Sequence, residues 1–261
     1  MEDKAMIILG GSDGSRRLTK AMARRFCQAG ITSLGLLYIN APGMPRHTME
    51  VPVESVERAV YWLKNKGFSK VGIWGMSSGG ELALLSASLI PQIGCVVAVS
   101  APTAVCQADN GRRAFATSCW TWRGKTLPYL PVRFSVWRTI PKSMCRRELF
   151  ITDQYERAVH EATEDVWIEV EKIQGPVLTI AARDDTVCPS VFFGEVVEKR
   201  LNNACFPYPH QHLIYDYASH FIVPGEWLEK KAFRIERRNP SKCQTSCEDA
   251  FEKAVNWIKA W

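Results

Sequence analysis

A chain of 261 residues, 46% hydrophobic and 23% charged, has the composition of a globular protein able to bury a substantial core, and its length suits one α/β domain better than two. The N-terminal apolar run is too short for a secretory signal and no run reaches membrane-spanning length, so the expectation is a cytoplasmic protein without an integral membrane segment. The formal net charge of +6 is local: nine basic residues and no acid lie between Arg112 and Arg147, and without them the balance is −3.

In chain order, Ala5–Leu9 reads as a short buried strand ending in Gly10-Gly11. Arg16–Gln28 follows with helical spacing of Leu18, Met22 and Phe26. Residues 31–39 form the next strand candidate, and a loop marked by Pro42, Gly43 and Pro45 leads to a helix over 53–66. Lys70–Trp74 is a strand, Ser78–Leu89 a helix and Cys95–Ser100 a strand. After Pro102 the alternation stops, and it resumes with strand Val177–Ala181, helix Ser190–Leu201, strand Leu213–Tyr217 and helix Cys247–Trp261. Strands separated by helices of this length imply right-handed crossovers and a mostly parallel sheet. The interruption reads as an insertion over 103–170, lid-like, within a single domain spanning 1–261.

Residues 71–80, Val-Gly-Ile-Trp-Gly-Met-Ser-Ser-Gly-Gly, run a strand directly into Gly-x-Ser-x-Gly. That spacing places a nucleophile on a strained strand-to-helix turn, with glycines two positions either side removing side chains that would collide there. Ser77 alone has both glycines, so it is the candidate nucleophile, and the neighbouring Ser78 offers its backbone N–H. An acid and a histidine should follow in that order. The strand Val177–Ala181 runs into Asp184-Asp185 before Pro189, which puts a carboxylate at the C-terminal edge of the sheet. Asp185 is preferred for the triad, with Asp184 as the competitor. Of histidines 47, 160, 210, 212 and 220, only His220 sits in a loop after a late strand, where it would shuttle the Ser77 proton. The second oxyanion donor would come from the Gly10–Gly14 loop, through Gly11 or Ser12. That loop lacks Gly-x-Gly-x-x-Gly spacing, and no acid ends the second strand, which argues against a dinucleotide site.

Nine scattered cysteines read as reduced thiols, and Cys243 with Cys247 lacks the second pair a tetrahedral site needs, so no metal and no cofactor is expected.

With these residues placed, the chain resembles the C-terminal catalytic domain of acyl-CoA thioesterases and bile acid-CoA:amino acid N-acyltransferases, an α/β-hydrolase family related to dienelactone hydrolases. The resemblance is carried by Gly75–Leu82, Arg123–Pro128, Asp184-Asp185 and Ser219–Pro224. It implies an α/β-hydrolase sheet of about six strands flanked by helices, with the insertion after the strand that follows the nucleophile helix. It also implies that the second aspartate, Asp185, belongs to the triad. The transferase branch uses a cysteine nucleophile, so Ser77 implies hydrolysis of an acyl-CoA-like thioester or a carboxylic ester. The alternatives are acyl transfer to an amino acid, or a non-catalytic ligand-binding relative. Trp120, Trp122, Arg123 and Lys125 of the insertion are the candidate substrate contacts, an aromatic and cationic cover for an apolar acyl chain with an anionic head group. A small-molecule acyl ester or acyl-CoA is the expected partner. No nucleic-acid motif accompanies the basic stretch, attraction to an anionic membrane surface is compatible with it, and a homo-oligomer stays open.

Overall fold

The structure is a computed structural model that describes residues 3–110, 113–133 and 135–261, so Arg112 of the basic stretch lies outside the described residues. The first half alternates as β1 (Lys4–Leu9), α1 (Arg16–Gln28), β2 (Thr32–Leu36), β3 (Val51–Pro52), α2 (Glu54–Asn65), β4 (Lys70–Met76), α3 (Ser78–Leu89) and β5 (Ile93–Val99). Four short strands come next: β6 (Gln107–Asp109), β7 (Ala114–Ser118), β8 (Trp120–Trp122) and β9 (Lys125–Thr126). Helices α4 (Val136–Arg146) and α5 (Thr152–His160) complete the segment between β5 and β10 (Val177–Ala182). The chain ends with α6 (Ser190–Asn203), β11 (His210–Tyr215), α7 (Arg234–Arg238) and α8 (Pro240–Ala260).

Six strands form one sheet in the order β11-β10-β5-β4-β1-β2, with every pairing parallel. A parallel sheet needs both faces covered, and β1 shows how the sequence provides for this. All six of its residues are buried. Ala5, Ile7 and Leu9 join one core with Val56, Val60 and Leu63 of α2 and with Leu82 and Leu85 of α3. Met6 and Ile8 point the other way, into a core with Leu18, Met22 and Phe26 of α1 and Ala254 and Ile258 of α8. Alternate side chains therefore meet opposite helix layers, as a period of two requires.

The chain leaves β1 towards β2 on one side and leaves β4 towards β5 on the other, so the two connections diverge between these neighbouring strands. Ligands bind beyond the carboxyl ends of strands at such a switch point. The loop Gly10–Ser15 leaves β1 there, and Ser77 follows β4.

Three boundaries differ from the sequence expectation by three residues or more. The edge strand β2 stops at Leu36, although Tyr38 and Ile39 beyond it are buried, because β1 is its one neighbour. Strand β11 begins at His210; His212 packs on Gly194 of α6, where a Cβ would lie 1.9 Å from the imidazole, so the polar start of the strand is accommodated from the helix side. Helix α8 begins at Pro240, whose missing N–H and fixed φ suit a first turn. Between β5 and β10, β6 and β7 pair antiparallel, while β8 pairs with β3 and β9. These strands are two to five residues long, too short for any periodicity to register.

Candidate active site

Strand β4 delivers Ser77 onto the first turn of α3 with φ 55° and ψ −126°, a left-handed conformation that a non-glycine residue holds only under constraint. The constraint is visible. Ser77 N–H donates to the Val99 carbonyl at 2.9 Å, while its own carbonyl accepts from Gly80 at 2.8 Å and Glu81 at 3.0 Å. Both motif glycines are steric necessities. A Cβ on Gly75 would lie 2.0 Å from the Gly79 carbonyl oxygen, and one on Gly79 would lie 2.1 Å from that of Gly10.

The Ser77 hydroxyl makes no capping bond and instead lies 3.0 Å from His220 Nε2. His220 Nδ1 lies 2.9 and 3.1 Å from the two Asp185 carboxylate oxygens. With Nδ1–H donating to Asp185, Nε2 is left to accept from Ser77. Asp185 is held in turn by the N–H groups of Val187 and Cys188, both at 3.0 Å, and by the Ser190 hydroxyl at 2.7 Å. Its side chain is only 2% exposed, so these donors replace the lost solvation of a buried carboxylate. Asp184 is exposed, and burial of part of its surroundings raises its carboxyl above the usual range. It is Asp185, not Asp184, that accepts from His220 Nδ1–H.

The loop after β1 lies against Ser77: a Cβ built on Gly11 would be 3.6 Å from the Ser77 Cβ. Tyr38, fully buried, donates its hydroxyl between the carbonyls of Gly10 at 2.9 Å and Gly11 at 3.1 Å. The N–H groups of Ser12 and Ser78 have no acceptor among the described residues, and both residues face the same hollow as Ser77.

That hollow has a volume of about 290 Å³. Ser12, Thr48, Ser77 and Ser78 form its polar end. Cys106, Cys119, Val132, Leu149, Ile151, Tyr155 and Val187 supply apolar wall, with Gln107, Asp109 and Gln154 among them. Burial pushes the Cys106 and Cys119 thiols well above their usual range, so neither is poised as a rival nucleophile. A larger hollow of about 470 Å³ lies between Trp227 and Gln244, and none of Ser77, Asp185 or His220 lines it.

Residues 51–225 match the family described as BAAT / Acyl-CoA thioester hydrolase C terminal. The chain belongs to this family. Over 204 residues it is 26% identical to mouse mitochondrial acyl-coenzyme A thioesterase 2, covering 75% of this chain and 40% of that protein. Over 224 residues it is 26% identical to human acyl-coenzyme A thioesterase 6, covering 84% of this chain and 49% of that one. It thus spans less than half the length of these relatives. Among solved structures, the Pyrococcus furiosus esterase Pf2001 superimposes with a TM-score of 0.56 at 15% identity, covering 99% of this chain and 83% of that chain. Anabaena variabilis dienelactone hydrolase gives 0.52 at 14%, covering 99% and 87%. The fold is the α/β-hydrolase fold.

The four expected substrate contacts lie together on the β8–β9 side of this BAAT-type scaffold. Trp120, Trp122, Arg123 and Lys125 do not line the hollow at Ser77. Trp120 is fully buried and its indole N–H donates to Glu81 at 2.5 Å. Arg123 stacks over Trp122 at 4.1 Å and forms a two-pronged pair with Glu57 of α2, while Lys125 is an exposed residue of β9. The aromatic-cationic signal in the sequence belongs to the β8–β9 hairpin and its seam with α2. Sequence reasoning also missed Tyr38, Glu81 and Ser190. Ser190, five residues beyond Asp185 at the start of α6, was legible in principle as a first-turn hydroxyl. Tyr38 and Glu81 carried no local signal.

Proposed function

We propose that this chain is a serine hydrolase that cleaves acyl thioesters of the acyl-CoA type, or carboxylic esters, through an acyl-enzyme on Ser77. The observation that carries the reading is the continuous hydrogen-bonded line Ser77–His220–Asp185, whose Ser77 end opens into a hollow with a largely apolar wall. Ser77 Oγ attacks the carbonyl carbon as its proton passes to His220 Nε2. The resulting oxyanion meets the N–H of Ser78 and that of Gly11 or Ser12, at the N-terminus of α3. Collapse breaks the bond to sulfur or oxygen, and the leaving group takes the proton from Nε2. Water then enters, gives its proton to the same nitrogen, and releases the acid and the free Ser77 hydroxyl. Asp185 keeps the Nδ1–H tautomer throughout and stabilises the imidazolium.

The relatives named above are acyl-CoA thioesterases, so acyl-CoAs are the first substrates to test. The hollow is equivalent to roughly ten water volumes at about 30 Å³ each, which suits a short or medium acyl chain. Residues 103–170 act as a lid in this reading, since Cys106, Val132, Leu149, Ile151 and Tyr155 wall the hollow. The test is release of free thiol from acyl-CoAs of graded length, beside p-nitrophenyl esters, with Ser77→Ala as control. Turnover surviving in Ser77→Ala would overturn the reading. An N-acyl product in the presence of glycine or taurine would replace hydrolysis by transfer. Absence of both turnover and fluorophosphonate labelling would point to a ligand-binding relative.

A further inference from the structure

Helix α4 is amphipathic with its apolar face turned outward. At 100° per residue, Trp137, Ile140, Pro141 and Met144 fall within an arc of about 100°. A surface helix ordinarily buries such a stripe. Here Trp137 is 86%, Met144 72% and Ile140 46% exposed. The side turned to the protein is polar instead. Thr139 is buried, accepts from Gln154 Nε2 at 2.9 Å and donates to the Ser135 carbonyl at 3.0 Å, and the Ser143 hydroxyl accepts from Phe150 N–H at 3.1 Å. The body of the protein therefore fixes this helix by hydrogen bonds and leaves its apolar face unmatched.

The flank of the stripe is cationic. Arg138, Lys142 and Arg146 recur every four residues beside it, and Arg147 follows. Lys142 pairs with Asp153 and Arg146 with Glu148, whereas Arg138 and Arg147 have no ion-pair partner among the described residues. From Arg113 to Arg147 the chain holds no Asp or Glu. That charge opposes the approach of a second copy through the same face and favours an anionic surface. An exposed tryptophan with aliphatic neighbours, edged by arginine and lysine, matches the interface of an anionic bilayer, where apolar residues enter the acyl boundary and cations meet the headgroups.

We propose that α4 is a membrane-docking helix that seats this chain on anionic lipid surfaces through Trp137, Ile140 and Met144, with Arg138 and Arg147 at the headgroups. No helix among the described residues is long and apolar enough to cross a membrane, so the contact is interfacial. Its position gives it a use. Leu149, three residues past the end of α4, lines the hollow at Ser77, so docking brings one wall of that hollow towards the bilayer, where acyl amphiphiles concentrate.

The test is cosedimentation of the whole chain with vesicles of phosphatidylcholine alone and of phosphatidylcholine with about a third phosphatidylserine. Tryptophan fluorescence would be ambiguous, because the chain holds nine tryptophans. The wild type should sediment with the anionic vesicles and not the neutral ones, and salt should weaken the association. The double variant Trp137→Ser/Met144→Ser should lose on the order of tenfold or more in partitioning, and Arg138→Gln/Arg147→Gln should lose several-fold. All four positions are exposed, and turnover of a water-soluble ester checks that each variant folds. No binding to anionic vesicles overturns the proposal, as does unchanged binding of the Trp137→Ser/Met144→Ser variant. A concentration-dependent dimer abolished by that variant, without vesicle binding, would assign the face to self-association instead.

Discussion

The Glu81 carboxylate accepts the indole N–H of Trp120 at 2.5 Å, with both side chains fully buried, and the same oxygen accepts the Cys106 N–H at 2.7 Å. Glu81 sits on α3 one turn past Ser77, Cys106 lies between β5 and β6, and Trp120 opens β8. One oxygen therefore ties the nucleophile helix to two parts of the segment that walls the hollow. Glu81→Ala leaves both donors buried without an acceptor, at about 1–3 kcal/mol each. Urea unfolding should show a loss of roughly 2–5 kcal/mol, whereas Glu81→Gln, which keeps an acceptor, should stay within about 1 kcal/mol of wild type near pH 5. A Glu81→Ala variant as stable as wild type would show that the tie contributes nothing.

The second oxygen of Glu81 is buried without a hydrogen-bond partner among the described residues, and burial raises this carboxyl from 4.5 to about 7. An acid whose folded-state value lies above its unfolded value holds more protons folded than unfolded between the two. Its contribution to stability is therefore full at low pH and declines as pH rises from about 4.5 towards 7. Glu81→Gln cannot ionise. Its stability relative to wild type should improve across that window, by an amount on the order of a few kcal/mol, and level off above it. Denaturation series at about pH 5 and about pH 8 measure this, and parallel pH profiles for the two proteins would refute it.

Much of the site was legible because its constraints are local. A strand, two glycines and a serine announce an elbow, and the distances at Gly75 and Gly79 show why only glycine fits there. Chain order and strand-end placement then pointed to Asp185 and His220, and the family resemblance favoured Asp185 over Asp184. The parallel sheet was legible from the alternation of apolar runs and helical spacing. What failed to show was anything set by tertiary contact. Trp120 and Trp122 look alike in sequence, yet one is buried on Glu81 and the other stacks under Arg123. The two- to five-residue strands between β5 and β10 gave no periodic signal, and Tyr38 acts on a loop nearly thirty residues earlier.

Tyr38 supports the loop that would supply an oxyanion donor, without facing the hollow itself. Tyr38→Phe removes the hydroxyl and leaves the Gly10 and Gly11 carbonyls without it. The expected kinetic result is a fall in kcat of roughly tenfold to a hundredfold with KM nearly unchanged, because a loosened donor matters most when the oxyanion forms. A rise in KM at constant kcat would instead mean that the loop contributes to ground-state binding.

Asp185→Asn should lower kcat on the order of 10⁴-fold, since the amide favours the wrong imidazole tautomer and also turns hydrogen atoms towards the Val187, Cys188 and Ser190 donors. Asp184→Asn, exposed and without contact to His220, should stay within about twofold of wild type. The pair of variants, assayed on one ester, decides between the adjacent carboxylates. Equal losses would mean that the acid's role is shared.

Acyl selectivity tests the hollow itself. Leu149 lines it and is 40% exposed, so a larger side chain can be accepted without repacking the core. Leu149→Trp should fill part of the roughly 290 Å³ and move the preferred acyl chain to shorter lengths. One methylene in such a pocket changes binding by about 1–3 kcal/mol, so kcat/KM for the longest acyl group accepted should fall tenfold or more while the shortest is little affected. Arg123→Ala is the control. Its exposed guanidinium pairs with Glu57 away from the site, and no side-chain atom of it reaches the hollow, so the length profile should be unaltered. If Arg123→Ala shifts KM for acyl-CoAs and Leu149→Trp does not change the length profile, the acyl chain occupies the β8–β9 side of the molecule and not this hollow.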